Sequence, residues 1–293
     1  MPEDRSSPRD VPPVSPVRPT AARRWGHGAD PRFAVRTAVV WETLQSLVEE
    51  CAADAQAAGR AAPAAGVAGG LDVVDIGGGT GGFAVLLAGL GHRVTVVDPS
   101  PDALAALQRR AAEAAVAGLV RAEQGDAGTL VDVVGPGGAD VVLCHGVLEY
   151  VDDARAAVQD ALAVLRPGGL LSVLVAQRLG AVLAQALSGR FPAARRLLQA
   201  PAADHPSPQP RRFDRGEILD LVQGPATRLR AVQGVRLVTD LLPGALVDGD
   251  PDAAAELLAF ERAAGEHPDL LALAAQLHVA VRVRGAGEHP ADD

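Results

Sequence analysis

The sequence predicts an α/β fold built on a mostly parallel sheet of seven strands, and three observations carry that expectation. From Leu71 to Val175, short apolar runs alternate with helix-length amphipathic segments. The runs are Val-, Leu- and Ile-rich along their length, as expected of strands covered on both faces. The first two, Val73 to Ile76 and Val94 to Asp98, are joined by a glycine-dense turn and one helix-length segment.

Each element follows from local pattern. Val40, Leu44, Leu47, Val48 and Cys51 recur at helical spacing, so Arg32 to Ala58 reads as an amphipathic helix, followed by a Gly/Ala/Pro linker from Gly59 to Gly70. Strand one begins at Leu71. Then come helix Gly82 to Leu90, strand Arg93 to Val97, helix Pro101 to Ala117, strand Val120 to Gln124, a helical piece near Thr129, and strand Asp140 to Cys144. Helix Asp153 to Leu165 and strand Leu170 to Val175 complete the alternating part. Beyond Val175 the rhythm changes: helix Gly180 to Leu187, an irregular Pro- and Arg-rich stretch Phe191 to Phe213, helix Arg215 to Val222, strand Thr227 to Thr239, helix Pro251 to Gly265, and strand Gln276 to Val283 of alternating polarity. Six prolines and scattered arginines in residues 1–30 predict a disordered arm, and residues 285–293 a disordered tail.

Composition narrows the function. With 293 residues, 48% of them hydrophobic, the chain can bury a large core. Its net charge of -9 gives no overall attraction to nucleic acid. The cations are all arginine. Cys51 and Cys144 form no C-x-x-C pair, and the histidines show no ligand spacing, so no disulfide framework and no metal are expected. No secretion signal or spanning stretch is apparent, which predicts a soluble cytoplasmic protein without a membrane partner.

Chemistry concentrates in the run Asp75-Ile76-Gly77-Gly78-Gly79-Thr80-Gly81-Gly82. Gly77, Gly78 and Gly79 allow a positive-φ turn and let a ligand approach bare backbone, while Asp98 at the tip of the second strand can hold two ribose hydroxyls. A nucleoside-containing cofactor follows. The run also satisfies G-x-G-x-x-G, the dinucleotide pattern, which leaves a nicotinamide dehydrogenase as one reading. Asp75, however, would lie badly beside a pyrophosphate and well beside a cationic or amine-bearing ligand.

The D-x-G-x-G-x-G form, Asp75 to Gly81, resembles motif I of class I S-adenosylmethionine-dependent methyltransferases, and Leu165-Arg166-Pro167-Gly168-Gly169-Leu170-Leu171 resembles the turn before their fifth strand. That resemblance implies S-adenosyl-L-methionine as cofactor. It also implies a Rossmann-like class I methyltransferase fold: a seven-stranded, mostly parallel sheet with an antiparallel last strand and an insertion after strand five. The methyltransferase domain would span residues 31–284, with a lid helix at 31–58 and the insertion at 177–213.

Asp140 to Tyr150, with His145 at a strand end before Val147-Leu148-Glu149-Tyr150, is similar to the bacterial tRNA 5-carboxymethoxyuridine methyltransferase family. Arg36 to Trp41, Leu171 to Leu174, Gly189-Arg190-Phe191 and Gly234-Val235-Arg236 extend the similarity. The family implies cofactor contacts from Arg36, Gly77, Gly78, Asp98, Asp126, Ala127 and His145, with Arg36 pairing the methionine carboxylate from the lid. Asp75 joins them through its place before the turn, and Gly79 through the turn itself. The implied acceptor bears a carboxylate, as the wobble nucleoside of tRNA does. Such an acceptor is already ionised at neutral pH, so no catalytic base is named. A hydroxyl or carbon acceptor would call on His145 or Glu149. Arg236, Glu149 and Tyr150 are the candidate substrate contacts, Arg236 by bidentate grip of a carboxylate. The chain departs from the family at Val175-Ala176-Gln177, and in carrying Arg195, Arg196, Arg211 and Arg212 where the family's insertion is lysine-rich. With the acidic whole, this favours the alternative of a small-molecule O- or N-methyltransferase. A non-catalytic cofactor-binding protein is a further alternative.

Overall fold

The computed structural model describes residues 31–59, 70–199, 210–243 and 251–285, without the side chains of 31–36 and 251. The expected N-terminal arm, residues 60–69 of the linker, and the tail after Gly285 lie outside the described residues. A seven-stranded sheet runs in the order β3-β2-β1-β4-β5-β7-β6. Its strands are β1 (Asp72–Ile76), β2 (Arg93–Asp98), β3 (Val120–Gln124), β4 (Ala139–His145), β5 (Leu165–Ala176), β6 (Thr227–Val235) and β7 (Gln276–Val283). β1 to β5 pair in parallel, while β7 runs antiparallel to both β5 and β6. This is the expected class I methyltransferase topology.

Alternation along each strand fixes which helices cover which face. Val73, Val141, Leu143 and Leu170 point to the side packed by α1 (Pro31–Ala57), α2 (Gly82–Gly89) and α3 (Pro101–Glu113), where Trp41, Leu44, Val48, Leu87 and Leu107 meet them. Val74, Ile76, Val142, Cys144 and Val173 face the other side, under α4 (Leu130–Val134), α5 (Ala154–Ala163) and α8 (Arg215–Val222). Because β1 lies between β2 and β4, the chain leaves its tip in one direction towards β2 and β3, and the other half is laid down beside β4. That strand-order reversal opens a crevice at the carboxyl ends of β1 and β4.

The structure departs from expectation in four places. Phe191 to Gln199, expected to be irregular, forms helix α7 (Phe191–Gln199), which packs on α6 (Arg178–Leu187). Pro192 falls in its first turn, where a missing N–H costs nothing, and the Ala, Leu and Arg that follow are strong helix formers. Residues 200–209 of the same stretch lie outside the described residues. β6 ends at Val235 rather than Thr239, because Arg236 takes φ +62° and turns the chain out of the sheet. β5 begins at Leu165 and runs through the Arg166 to Gly169 turn with a register irregularity against β4. The third helix stops at Glu113, and a short 3-10 turn at Ala117–Leu119 leads into β3.

The last helix, α9 (Pro251–Glu266), rests on the end of β6 at a glycine pair: a Cβ on Gly265 would overlap the Gly234 carbonyl oxygen. Gly265→Val therefore forces two backbones apart. It should lower the unfolding free energy by about 1–3 kcal/mol, the usual range for overpacking, seen as a lower urea midpoint. An unchanged midpoint would contradict this packing.

Candidate functional site

The glycine turn and the β2 tip are joined through one carboxylate. Asp98 Oδ2 accepts from Gly79 N–H at 2.9 Å and Oδ1 from Ser100 N–H at 2.9 Å, while Gly77 N–H donates to Val97 O at 2.7 Å. Gly77 and Gly79 take φ +63° and +54°, conformations that a Cβ would strain. Ser100 caps α3, its hydroxyl accepting from Ala103 N–H, so Asp98 sits between two ordered turns. Next along the sheet edge, Asp126 Oδ1 accepts from Gly128 and Thr129 N–H, and the Thr129 hydroxyl accepts from Asp126 N–H. This reciprocal cap fixes the turn after β3.

Above these turns lies a cavity of about 560 Å³, within the usual range for small-ligand sites. Asp98, Gly77, Asp126, Ala127 and Tyr150 line it, together with Ile76, Gly146 and Val147. Its walls suit a nucleoside. A carboxylate has about four lone-pair sites, so Asp98 keeps acceptor capacity for two hydroxyls after serving two backbone donors. Val147 and Val151 offer apolar surface to a base. Charge then discriminates between ligands: Asp98, Asp126, Asp152, Asp153 and Asp160 line the cavity, and no described cation does. A pyrophosphate would be repelled there and a sulfonium or ammonium attracted.

Asp75 is 3% exposed beneath the turn, its carboxylate against the Gly78 backbone. Burial, and secondarily the Asp98 charge, raise its pKa to about 7. Gly78 and Gly79 contribute turn backbone without lining the cavity, and Asp75 likewise stays below it.

His145 is not among the lining residues. Its Nε2 lies 2.9 Å from Ser172 Oγ, which lies 2.8 Å from His278 Nε2. Ser172 has one proton, so it donates to one ring and accepts from the other, and the two imidazoles must hold complementary tautomers. Burial pushes His145 down to about 3 and His278 to about 4, with mutual repulsion adding at His145, so both are neutral at physiological pH. Phe83 meets His145 edge-on at 5.0 Å between ring centres. Glu149 is buried, its Oε1 accepting from Ala176 N–H at 2.7 Å, which ties the end of β5 to the loop after β4. Burial raises the Glu149 pKa. Arg36 lies in α1, with its side chain outside the described residues.

Arg236 opens a second cavity of about 230 Å³ on the same sheet edge, lined also by Arg212, Gln185, Asp240 and Gln276. Arg236 pairs with Asp240, and its Nη1 donates to Gln276 Oε1 at 3.3 Å. The turn carrying it is held by Glu261, a residue that sequence reasoning missed. Its carboxylate accepts from the N–H groups of Leu237, Val238 and Thr239 and from the Thr239 hydroxyl. One signal was present: Leu257, Glu261 and Ala264 follow i, i+4, i+7 spacing, so a glutamate stands on the buried stripe of α9.

Residues 74–171 match the family model described as a methyltransferase domain. Among curated relatives, the chain is 29% identical over 161 residues to a tRNA 5-carboxymethoxyuridine methyltransferase of Escherichia coli (strain K12), covering 54% of each chain. It is 37% identical over 121 residues to a ubiquinone biosynthesis O-methyltransferase of Methylobacterium sp. (strain 4-46), covering 41% of this chain and 47% of that protein. The chain thus spans about half the length of the curated relatives it matches. Among solved structures, the [4+2]-cyclase SpnF superposes with a TM-score of 0.51 at 17% identity, over 74% of this chain and 76% of that one. This last likeness is one of fold. The match to a methyltransferase domain thus covers residues 74–171, which lie within a sheet of class I topology.

Two outcomes test the site. Because the Asp75 pKa is raised in the folded state, that state binds the extra proton, and stability falls as pH rises from about 4 through about 7. At about 1.4 kcal/mol per unit, the loss is on the order of 4 kcal/mol. Urea titrations should show the wild type losing stability relative to Asp75→Asn across that window; parallel pH curves would remove the buried charge from the account. Asp98→Ala should weaken S-adenosylhomocysteine binding by about tenfold to a hundredfold in calorimetry, through loss of charged hydrogen bonds. Wild-type affinity in that variant would show that the acid does not touch the ligand.

Proposed function

We propose that the chain is an S-adenosylmethionine-dependent methyltransferase acting on a small anionic acceptor. The observation that carries this reading is the division of charge along one sheet edge. An aspartate-lined cavity at the tips of β1 and β4 suits a sulfonium-bearing donor, and a cavity at the ends of β5 and β6, where Arg212 adds its charge to the Arg236–Asp240 pair, has a net positive lining that suits an anion. Bound there, the donor supplies a methyl group whose transfer discharges a sulfonium, so alignment of nucleophile, methyl and sulfur does most of the catalytic work.

In this reading Asp98 holds the ribose hydroxyls, Asp126 and Ala127 border the base, and the Gly77 to Gly79 backbone passes under the donor. Arg36 of α1 and His145 at the end of β4 are assigned to the donor by the resemblance alone. Arg236 and Arg212 grip the acceptor anion, and Tyr150, 73% exposed, borders the entrance. No general base is assigned. His145 Nδ1 and Glu149 Oε2 are buried without hydrogen-bond partners, and neither residue lines the first cavity. The ubiquinone-pathway relatives support a small molecule by their names.

The second reading is the 5-carboxymethoxyuridine of tRNA, favoured by the Escherichia coli relative and by the arginines of the α6–α7 segment. Titration with S-adenosylhomocysteine and with NAD tests the donor: binding of the first and not the second is expected, and the reverse would end the proposal. Arg236→Ala should cut acceptor turnover about tenfold or more, while S-adenosylhomocysteine affinity stays within about twofold. Equal loss of both would refute its role. Nucleoside analysis of tRNA from a deletion strain should be unchanged; loss of the methyl ester there would move the acceptor to tRNA.

A further inference from the structure

The α6–α7 hairpin differs from the rest of this acidic molecule. From Arg178 to Gln199 it carries no aspartate or glutamate and four arginines, of which Arg178 pairs with Asp214 and the other three are exposed, against a net charge of -9 for the chain. It also holds three of the large apolar side chains most open to solvent: Leu187 at 65%, Phe191 at 67% and Leu198 at 56%. Phe191, Arg195 and Leu198 fall at i, i+4 and i+7 of α7, so they share one face, and Leu187 and Arg190 lie at the corner beside Phe191. Arg195 and Arg196 are exposed as well.

We propose that this face docks on an anionic lipid surface. Phe191, Leu187 and Leu198 would enter the layer below the headgroups, and Arg190, Arg195 and Arg196 would meet lipid phosphates. Both halves of the pattern are then satisfied: arginine is attracted to the negative surface potential, and the apolar side chains leave water. An RNA backbone would answer the arginines alone and leave Leu187, Phe191 and Leu198 in solvent. The association is peripheral, because no described helix is long and apolar enough to cross a membrane. It departs from the expectation of no membrane partner, and it stands independently of the donor and acceptor assigned above. It also has a spatial consequence. Gly180, Ala181 and Ala184 of α6 wall the Arg236 cavity, so docking brings that cavity to within one helix of the lipid.

The test is sedimentation of the full chain with vesicles of phosphatidylglycerol and phosphatidylcholine, and with phosphatidylcholine alone. Binding to the mixed vesicles is expected to be roughly tenfold or more above that to the neutral ones, and to weaken with salt. Phe191→Ser/Leu198→Ser and Arg195→Glu/Arg196→Glu should each lower it by about tenfold, with S-adenosylhomocysteine affinity and melting temperature unchanged. A folded wild type that ignores anionic vesicles would overturn the proposal. So would double variants that sediment like the wild type, or tight binding of tRNA without binding of vesicles.

Discussion

The Asp98 carboxylate is the contact on which the site depends. With one oxygen it holds Gly79 of the β1 turn and with the other Ser100 at the start of α3, so two loops from adjacent strands become one surface. Each bond is charge-assisted and nearly buried, which makes it stronger than a neutral pair in water. The arrangement is possible because β1 and β2 pair in parallel, Ile76 opposite Val97, and bring their carboxyl ends to one edge. The crevice, the turn geometry and the acidic lining all follow from that register.

Charge is sorted along this edge in a way the net value of -9 conceals. Five aspartates line the first cavity, while Arg212, Arg236 and the Asp240 that pairs with Arg236 line the second. Asp75 extends the negative side into the core, where burial opposes its ionisation. A cationic ligand above the turn would lower that cost by favouring the ionised form. On the other side Glu261 spends its four acceptor contacts on one turn, which fixes the backbone that carries Arg236.

Much of this was legible locally. The glycines from Gly77 to Gly81 announced the turn, and Asp98 the acid beside it, because both rest on backbone chemistry within one strand–helix–strand unit. The strands from Asp72 to Gln124 were readable for the same reason. Helix α7 was not, since Pro192 and the arginines resembled a loop until the helix found α6 to pack against. His145 was legible as a strand-end histidine, yet Ser172 on β5 lies 27 residues from it, and His278 on β7 lies a further 106 residues beyond Ser172. No spacing rule links them.

The sequence by itself determined the alternation of strands and helices, the glycine turn, and the acids at the strand tips, because each is written in side-chain period and backbone permission over a few residues. The tertiary structure alone decided the pairing of β7 between β5 and β6, the buried His145–Ser172–His278 chain and the Glu261 cradle. It also decided the joining of Arg212 and Arg236 in one cavity. These contacts join residues from tens of positions to more than a hundred apart, and only closure of the core selects one such pairing from the many that local chemistry permits.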